Sequence, residues 1–118
     1  MKYEKNDNSA VRKTIIFPKN LWQRVEEFNQ LFMFSSDVSA ARFLISYGLR
    51  ANPVKLDRSY KEQNIRMYLN LSAALCNEIS NFRFSNRLDA ERDAILMLVE
   101  QGLDHLYSTL PPRQQPMV

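Results

Sequence analysis

The chain has 118 residues, 45% of them apolar and 11% aromatic, which suits one compact domain with a real core, so disorder is not the default reading. Its formal charge of +3 is a mild basic excess that hints at an anionic partner. That excess belongs to the first half: ten Lys/Arg against six Asp/Glu leave +4 in residues 1–60, and six against seven leave −1 in residues 61–118.

Residues 1–10, MKYEKNDNSA, show no basic start followed by an apolar run, so a signal peptide is not expected and the segment reads as a flexible N-terminus. A first structural unit spans residues 11–51. It opens with the alternating stretch Arg12-Lys13-Thr14-Ile15-Ile16-Phe17, in which period two puts Lys13, Ile15 and Phe17 on one face and Arg12, Thr14 and Ile16 on the other. Pro18 ends this strand and suits the entry to a helix. The spacing of Leu21, Val25, Phe28 and Phe32 predicts a helix over about Asn20–Phe34. Ser35, Ser36 and Asp37 break the pattern, the two serines being candidate N-caps, and a second helix is expected over about Asp37–Ala51.

Residues 52–63 read as a polar linker, long enough to span up to about 40 Å if extended. The second unit, 64–107, repeats the first at an offset of 54. Met97-Leu98-Val99-Glu100-Gln101-Gly102-Leu103 echoes Phe43-Leu44-Ile45-Ser46-Tyr47-Gly48-Leu49. Carried back, the offset pairs Phe28 with Phe82, Leu21 with Leu75, Phe17 with Leu71 and Arg12 with Arg66. Seven of forty aligned positions are identical, and the matches fall on apolar positions, as a duplicated fold would retain. The second strand, Arg66–Leu71, has Met67, Leu69 and Leu71 on its apolar face and Arg66, Tyr68 and Asn70 opposite. Helices are expected over about Ala73–Phe84 and Ala90–Leu106, with Asp89 as N-cap of the latter. Residues 108–118, which include Pro111, Pro112 and Pro116, read as a flexible tail.

The two glycines, Gly48 and Gly102, fall where the helix pattern continues, at a cost of about 1 kcal/mol relative to alanine. Two readings stay open: a loosened last turn, or a helix crossing too close for a Cβ. Cys76 stands alone, so no intrachain disulfide forms and a reducing cytoplasm is compatible. It aligns with Trp22, and both are expected to pack at the core. With His105 the only histidine, no zinc site is expected. No phosphate loop, nucleophile–His–acid set or carboxylate pair with an evident pocket is present. No enzyme activity, cofactor, small-molecule substrate or membrane span is expected.

A strand followed by two amphipathic helices leaves open strand edges and an uncovered apolar face, so it needs a second such unit. The pattern resembles the ribbon-helix-helix superfamily of prokaryotic DNA-binding proteins. The resemblance rests on Arg12–Pro18, the Ser35-Ser36 turn and Arg42–Leu49, repeated as Arg66–Ser72, Asp89 and Leu96–Leu103, and covers about two thirds of the chain. Most members pair two identical chains. Tandem fusions look like the relaxosome accessory proteins of conjugative plasmids and related border-DNA proteins.

The resemblance implies a mainly α fold with a short two-stranded antiparallel β-ribbon, the two units forming one intramolecular pseudo-dimer. It also implies double-stranded DNA as partner, with a relaxase or a second copy on adjacent DNA as further candidates. The ribbon's outward face, Arg12, Thr14, Ile16, Arg66, Tyr68 and Asn70, would read base edges in the major groove. The N-terminus of the second helix of each unit would clamp a phosphate: Ser35, Ser36 and Asp37 in the first, Asp89, Ala90 and Glu91 in the second. The carboxylates of the second clamp repel phosphate unless Arg87 or Arg92 offsets them. Lys13, Lys19 and Lys2 are candidates for nonspecific backbone contacts. The expected role is that of a transfer accessory factor or a transcriptional repressor, with a helical protein-interaction module as the alternative.

Overall fold

The computed structural model describes residues 10–51 and 64–109. Residues 1–9 of the segment read as a flexible N-terminus, the linker and most of the tail lie outside the described residues, Lys2 among them. Ala10, read as part of the flexible segment, instead begins the first strand because it pairs with Ser72. Six elements follow one another: β1 (Ala10–Pro18), α1 (Lys19–Phe32), α2 (Asp37–Arg50), β2 (Asn64–Ser72), α3 (Ala73–Ser85) and α4 (Glu91–Ser108). The protein is thus mainly helical with one two-stranded antiparallel sheet.

The strands pair across the intervening α1 and α2, so neither strand is left as a lone extended segment. Thr14 stands opposite Tyr68 at the middle, with Arg12 opposite Asn70 and Ile16 opposite Arg66 on either side. Thr14 and Tyr68 are themselves 54 residues apart, so the register is centred on one pair of equivalent positions of the repeat. Period two then sorts the faces. Ile15, Phe17, Leu69 and Leu71 are buried, whereas Arg12, Thr14, Arg66, Tyr68 and Asn70 are exposed.

The helices cover the inner face of the ribbon. Leu21, Trp22, Val25 and Phe28 of α1 join Leu75 and Ile79 of α3 in one core with Leu44 and Ile45 of α2 and Leu98, Val99 and Leu103 of α4. Each fully buried large side chain contributes roughly 1.5–3 kcal/mol relative to an exposed one. Trp22 is buried, with its ring edge-on to Phe17 at 4.9 Å between centroids. Cys76 packs partly buried against the same core.

Both glycines mark a close crossing of α2 and α4. A Cβ on Gly102 would lie 2.5 Å from the carbonyl oxygen of Leu44, and one on Gly48 would overlap that of Leu98. The loosened-turn reading is therefore wrong: each glycine lies inside its helix and meets backbone of the other helix. Beside this crossing, Gln101 is buried and its Nε2 donates to the Gly48 carbonyl at 2.8 Å.

Some boundaries differ from the sequence expectation. α1 stops at Phe32 because Met33 turns into the left-handed region (φ 57°), its amide donating to the Asn29 carbonyl. Asp89 is not the N-cap of α4. Ala90 takes that place with no side-chain bond, while the Asp89 carbonyl is held by Arg83 Nη2 at 2.7 Å. Arg87 adopts φ 54° in this turn, a position that costs a non-glycine residue some strain. In the first unit the expected cap is present: Ser36 Oγ accepts from the Ser39 amide at 3.0 Å.

Candidate nucleic-acid interface

Alternation along two paired strands brings six separate sequence positions onto one surface. Arg12, Thr14 and Ile16 from β1 face Asn70, Tyr68 and Arg66 from β2 as three cross-strand pairs. Five of the six are exposed and Ile16 is half-buried. The Arg12 guanidinium lies 4.7 Å from the centroid of the Tyr68 ring, one step diagonally across the ribbon. Such a contact at an exposed site is worth about 0.5–1 kcal/mol and draws Arg12 toward the centre of the face. The surface offers two guanidinium forks, one amide, two hydroxyls and one branched aliphatic side chain. That is the donor, acceptor and methyl-contact set that distinguishes base pairs in a major groove.

The backbone beneath this face is fixed from below by two arginines. Arg92 Nε donates to the Ile16 carbonyl at 2.6 Å, and Arg42 Nη1 donates to the Asn70 carbonyl at 3.1 Å. Ile16 and Asn70 are equivalent positions of the repeat, yet Arg42 and Arg92 are not: one sits in the second turn of α2, the other in the first turn of α4. The period-two and helical patterns carry no sign of these ties, so Arg42 is missing from the residues expected at the interface.

α2 reaches β2 through Arg42 of its second turn, and α4 reaches β1 through Arg92 of its first turn. At α2, Ser36 caps the Ser39 amide and Ser35 Oγ lies 3.1 Å from Ser39 Oγ. Asp37 is held back by Asn29, whose Nδ2 donates to its Oδ1 at 2.8 Å. The first-turn amides of Asp37 and Val38 have no acceptor within the helix and point out of its end. At α4, Asp89 and Ala90 are exposed, and Glu91 pairs with Lys13 at 3.2 Å. Lys13 is thus on the inner face of β1, paired with Glu91 and away from the outward surface. Arg92 is engaged with Ile16 and Arg87 is exposed in the α3–α4 turn. Lys19 is exposed at the start of α1, directly after β1.

Cys76 lies close enough to Lys13 and Glu91 to feel both. Burial pushes its thiol pKa up, with Lys13 opposing and Glu91 adding to the shift. Among the described residues no group of three His, Cys, Asp or Glu side chains is placed to hold a metal ion. Nor is any helix among them long and apolar enough to cross a membrane. Compared with family models, curated proteins and solved structures, the chain matches none.

Proposed function

We propose that the chain binds double-stranded DNA sequence-specifically, as a single-chain ribbon-helix-helix pseudo-dimer that inserts the β1–β2 ribbon into the major groove. The observation that carries this reading is the outward ribbon face: three cross-strand pairs, rich in Arg and Asn, with little part in the core. A two-stranded ribbon has the width of a major groove, and Arg and Asn are suited to bidentate contacts with guanine and adenine. The centring of the register on Thr14 and Tyr68, together with the reciprocal glycine contacts, supports an approximate twofold relation between the units. The first clamp, with Ser35 and Ser36 at the open end of α2, is the better phosphate site. The second has Asp89 beside it and spends Lys13 on Glu91.

Because the three pairs are not related by exact symmetry, the preferred site is an imperfect palindrome. The biological role is that of a transfer accessory factor acting beside a relaxase, or of a transcriptional repressor; both use the same groove chemistry. The protein-interaction reading is favoured by the exposed Phe32, Met33 and Phe84.

The test is selection from a pool of random duplex DNA at two salt concentrations, with the Arg12→Ala/Arg66→Ala variant alongside. A short motif is enriched by the natural chain and lost in the variant, each bidentate contact being worth about 1–3 kcal/mol of discrimination. Binding without enrichment describes a backbone binder, and no binding at low salt leaves the interaction module.

A further inference from the structure

An open groove of about 480 Å³ runs beside β2, walled by Ser39, Arg42 and Ser46 of α2 and by Asn70 and Ser72 of β2, the rest of its lining being apolar. Arg42 enters it with an uncompensated charge. Its two hydrogen bonds go to neutral acceptors, the Asn70 carbonyl at 3.1 Å and Ser39 Oγ at 3.0 Å, and among the described residues no carboxylate pairs with it. A guanidinium carries five donors, so more remain for an incoming oxyanion. Ser72 Oγ accepts from the Leu75 amide at 3.1 Å, which leaves its own proton to donate.

The equivalent positions of the other unit do not carry these groups. The 54-residue offset puts Asp93, Leu96 and Glu100 where Ser39, Arg42 and Ser46 stand, and Ile16 and Pro18 where Asn70 and Ser72 stand. Two carboxylates replace two hydroxyls, and buried Leu96 replaces the arginine. The tie to the strand carbonyl survives there, because Arg92 reaches Ile16 from another position. Holding the strand therefore does not require a serine-lined cationic groove, and the groove on the β2 side answers to something else.

We propose that this groove seats one phosphodiester of the DNA backbone, on one flank of the ribbon only, with Arg42 as the principal contact. The inference rests on the duplex-DNA reading above. Asn70 belongs both to the outward ribbon face and to the groove wall, so a duplex in contact with Asn70 brings its backbone to Arg42. An oxyanion there meets a guanidinium fork and hydroxyl donors, whereas the equivalent positions of the second unit carry Asp93 and Glu100.

The experiment is phosphate-ethylation interference and salt-dependent binding on a duplex selected by the natural chain. It compares that chain with Arg42→Gln and with Ser46→Asp, which places a carboxylate in the groove and leaves the Arg42–Asn70 tie available. Thermal unfolding of each variant establishes that it is folded. The natural chain gives an ethylation-sensitive phosphate on one flank with no counterpart on the other. In both variants that sensitivity disappears, affinity falls roughly tenfold, and the slope of log K against log salt becomes shallower by about 0.9. Folded Ser46→Asp protein that keeps the natural footprint and slope overturns the proposal while leaving DNA binding intact. Absence of duplex binding by the natural chain, or binding indifferent to Arg12→Ala/Arg66→Ala, overturns the groove-reading function itself, and the phosphate seat with it.

Discussion

Gly102 approaches Leu44 so closely that a Cβ added to it would stand 2.5 Å from the Leu44 carbonyl oxygen, and Gly48 meets Leu98 in the same way. The obstacle in both cases is helix backbone, which cannot rotate aside as a side chain would. Gly48→Ala and Gly102→Ala each gain about 1 kcal/mol in helix propensity. That gain is outweighed by the forced separation of α2 and α4, and each substitution lowers stability by a net amount of about 2 kcal/mol or more. Denaturant titration checks this. A variant as stable as the natural chain would mean that the helices cross farther apart.

Tyr107 offers the opposite outcome. Its ring packs near Phe28, and its hydroxyl is buried with no hydrogen-bond partner among the described residues. An unmatched buried hydroxyl is destabilising by about 1–3 kcal/mol. Tyr107→Phe keeps the ring and removes that penalty, so its Tm equals or exceeds that of the natural chain. A clear fall in Tm would point to a partner for the hydroxyl.

Cys76 has its thiol pKa raised, first by burial, with Lys13 opposing and Glu91 adding. In the folded protein less thiolate is present at neutral pH than in a free thiol, so alkylation by iodoacetamide is slower and its rate rises only above the ordinary thiol range. Because the folded thiol holds its proton more tightly than the unfolded one, stability is unaffected below the unfolded thiol value and falls as pH rises beyond it. Glu91→Gln removes the lesser of the two contributions that raise the pKa and leaves Lys13 without that partner, and so speeds alkylation at fixed pH. An unchanged rate would separate Cys76 from the Lys13–Glu91 pair.

Pairing of β1 with β2 inside one chain makes folding unimolecular. The urea midpoint is therefore constant over a hundredfold range of protein concentration. A midpoint that climbs with concentration would mean that strands exchange between chains.

Much of this arrangement was legible in the residues, because both strands alternate and both helix pairs carry apolar stripes at helical spacing. The 54-residue offset anticipated the pairs Gly48/Gly102 and Leu44/Leu98, and period two assigned Arg12 and Asn70 to the outer face. What pattern could not supply was detail of contacts between positions distant along the chain. Ile16 blurred the first strand because periodicity alone does not tell which face a partner will cover; opposite Arg66 it ends half-buried. Lys13 looked like a surface cation until Glu91, 78 positions away, was brought against it. Arg42 and Arg92 act on strand carbonyls, which leave no trace in side-chain pattern. The cap of α4 was misplaced because Asp89 is a good capping residue by type, while the local chain turns through Arg87 and leaves Ala90 in that position.

A ribbon made of two identical chains carries every substitution twice, so its two strands cannot change separately. Here each strand has its own codons. A change at Asn70 alters its pair with Arg12 at one end and leaves Ile16 and Arg66 at the other untouched. The two ends of the ribbon are thus free to diverge under mutation, one position at a time, while the shared helix crossing at Gly48 and Gly102 holds both in place.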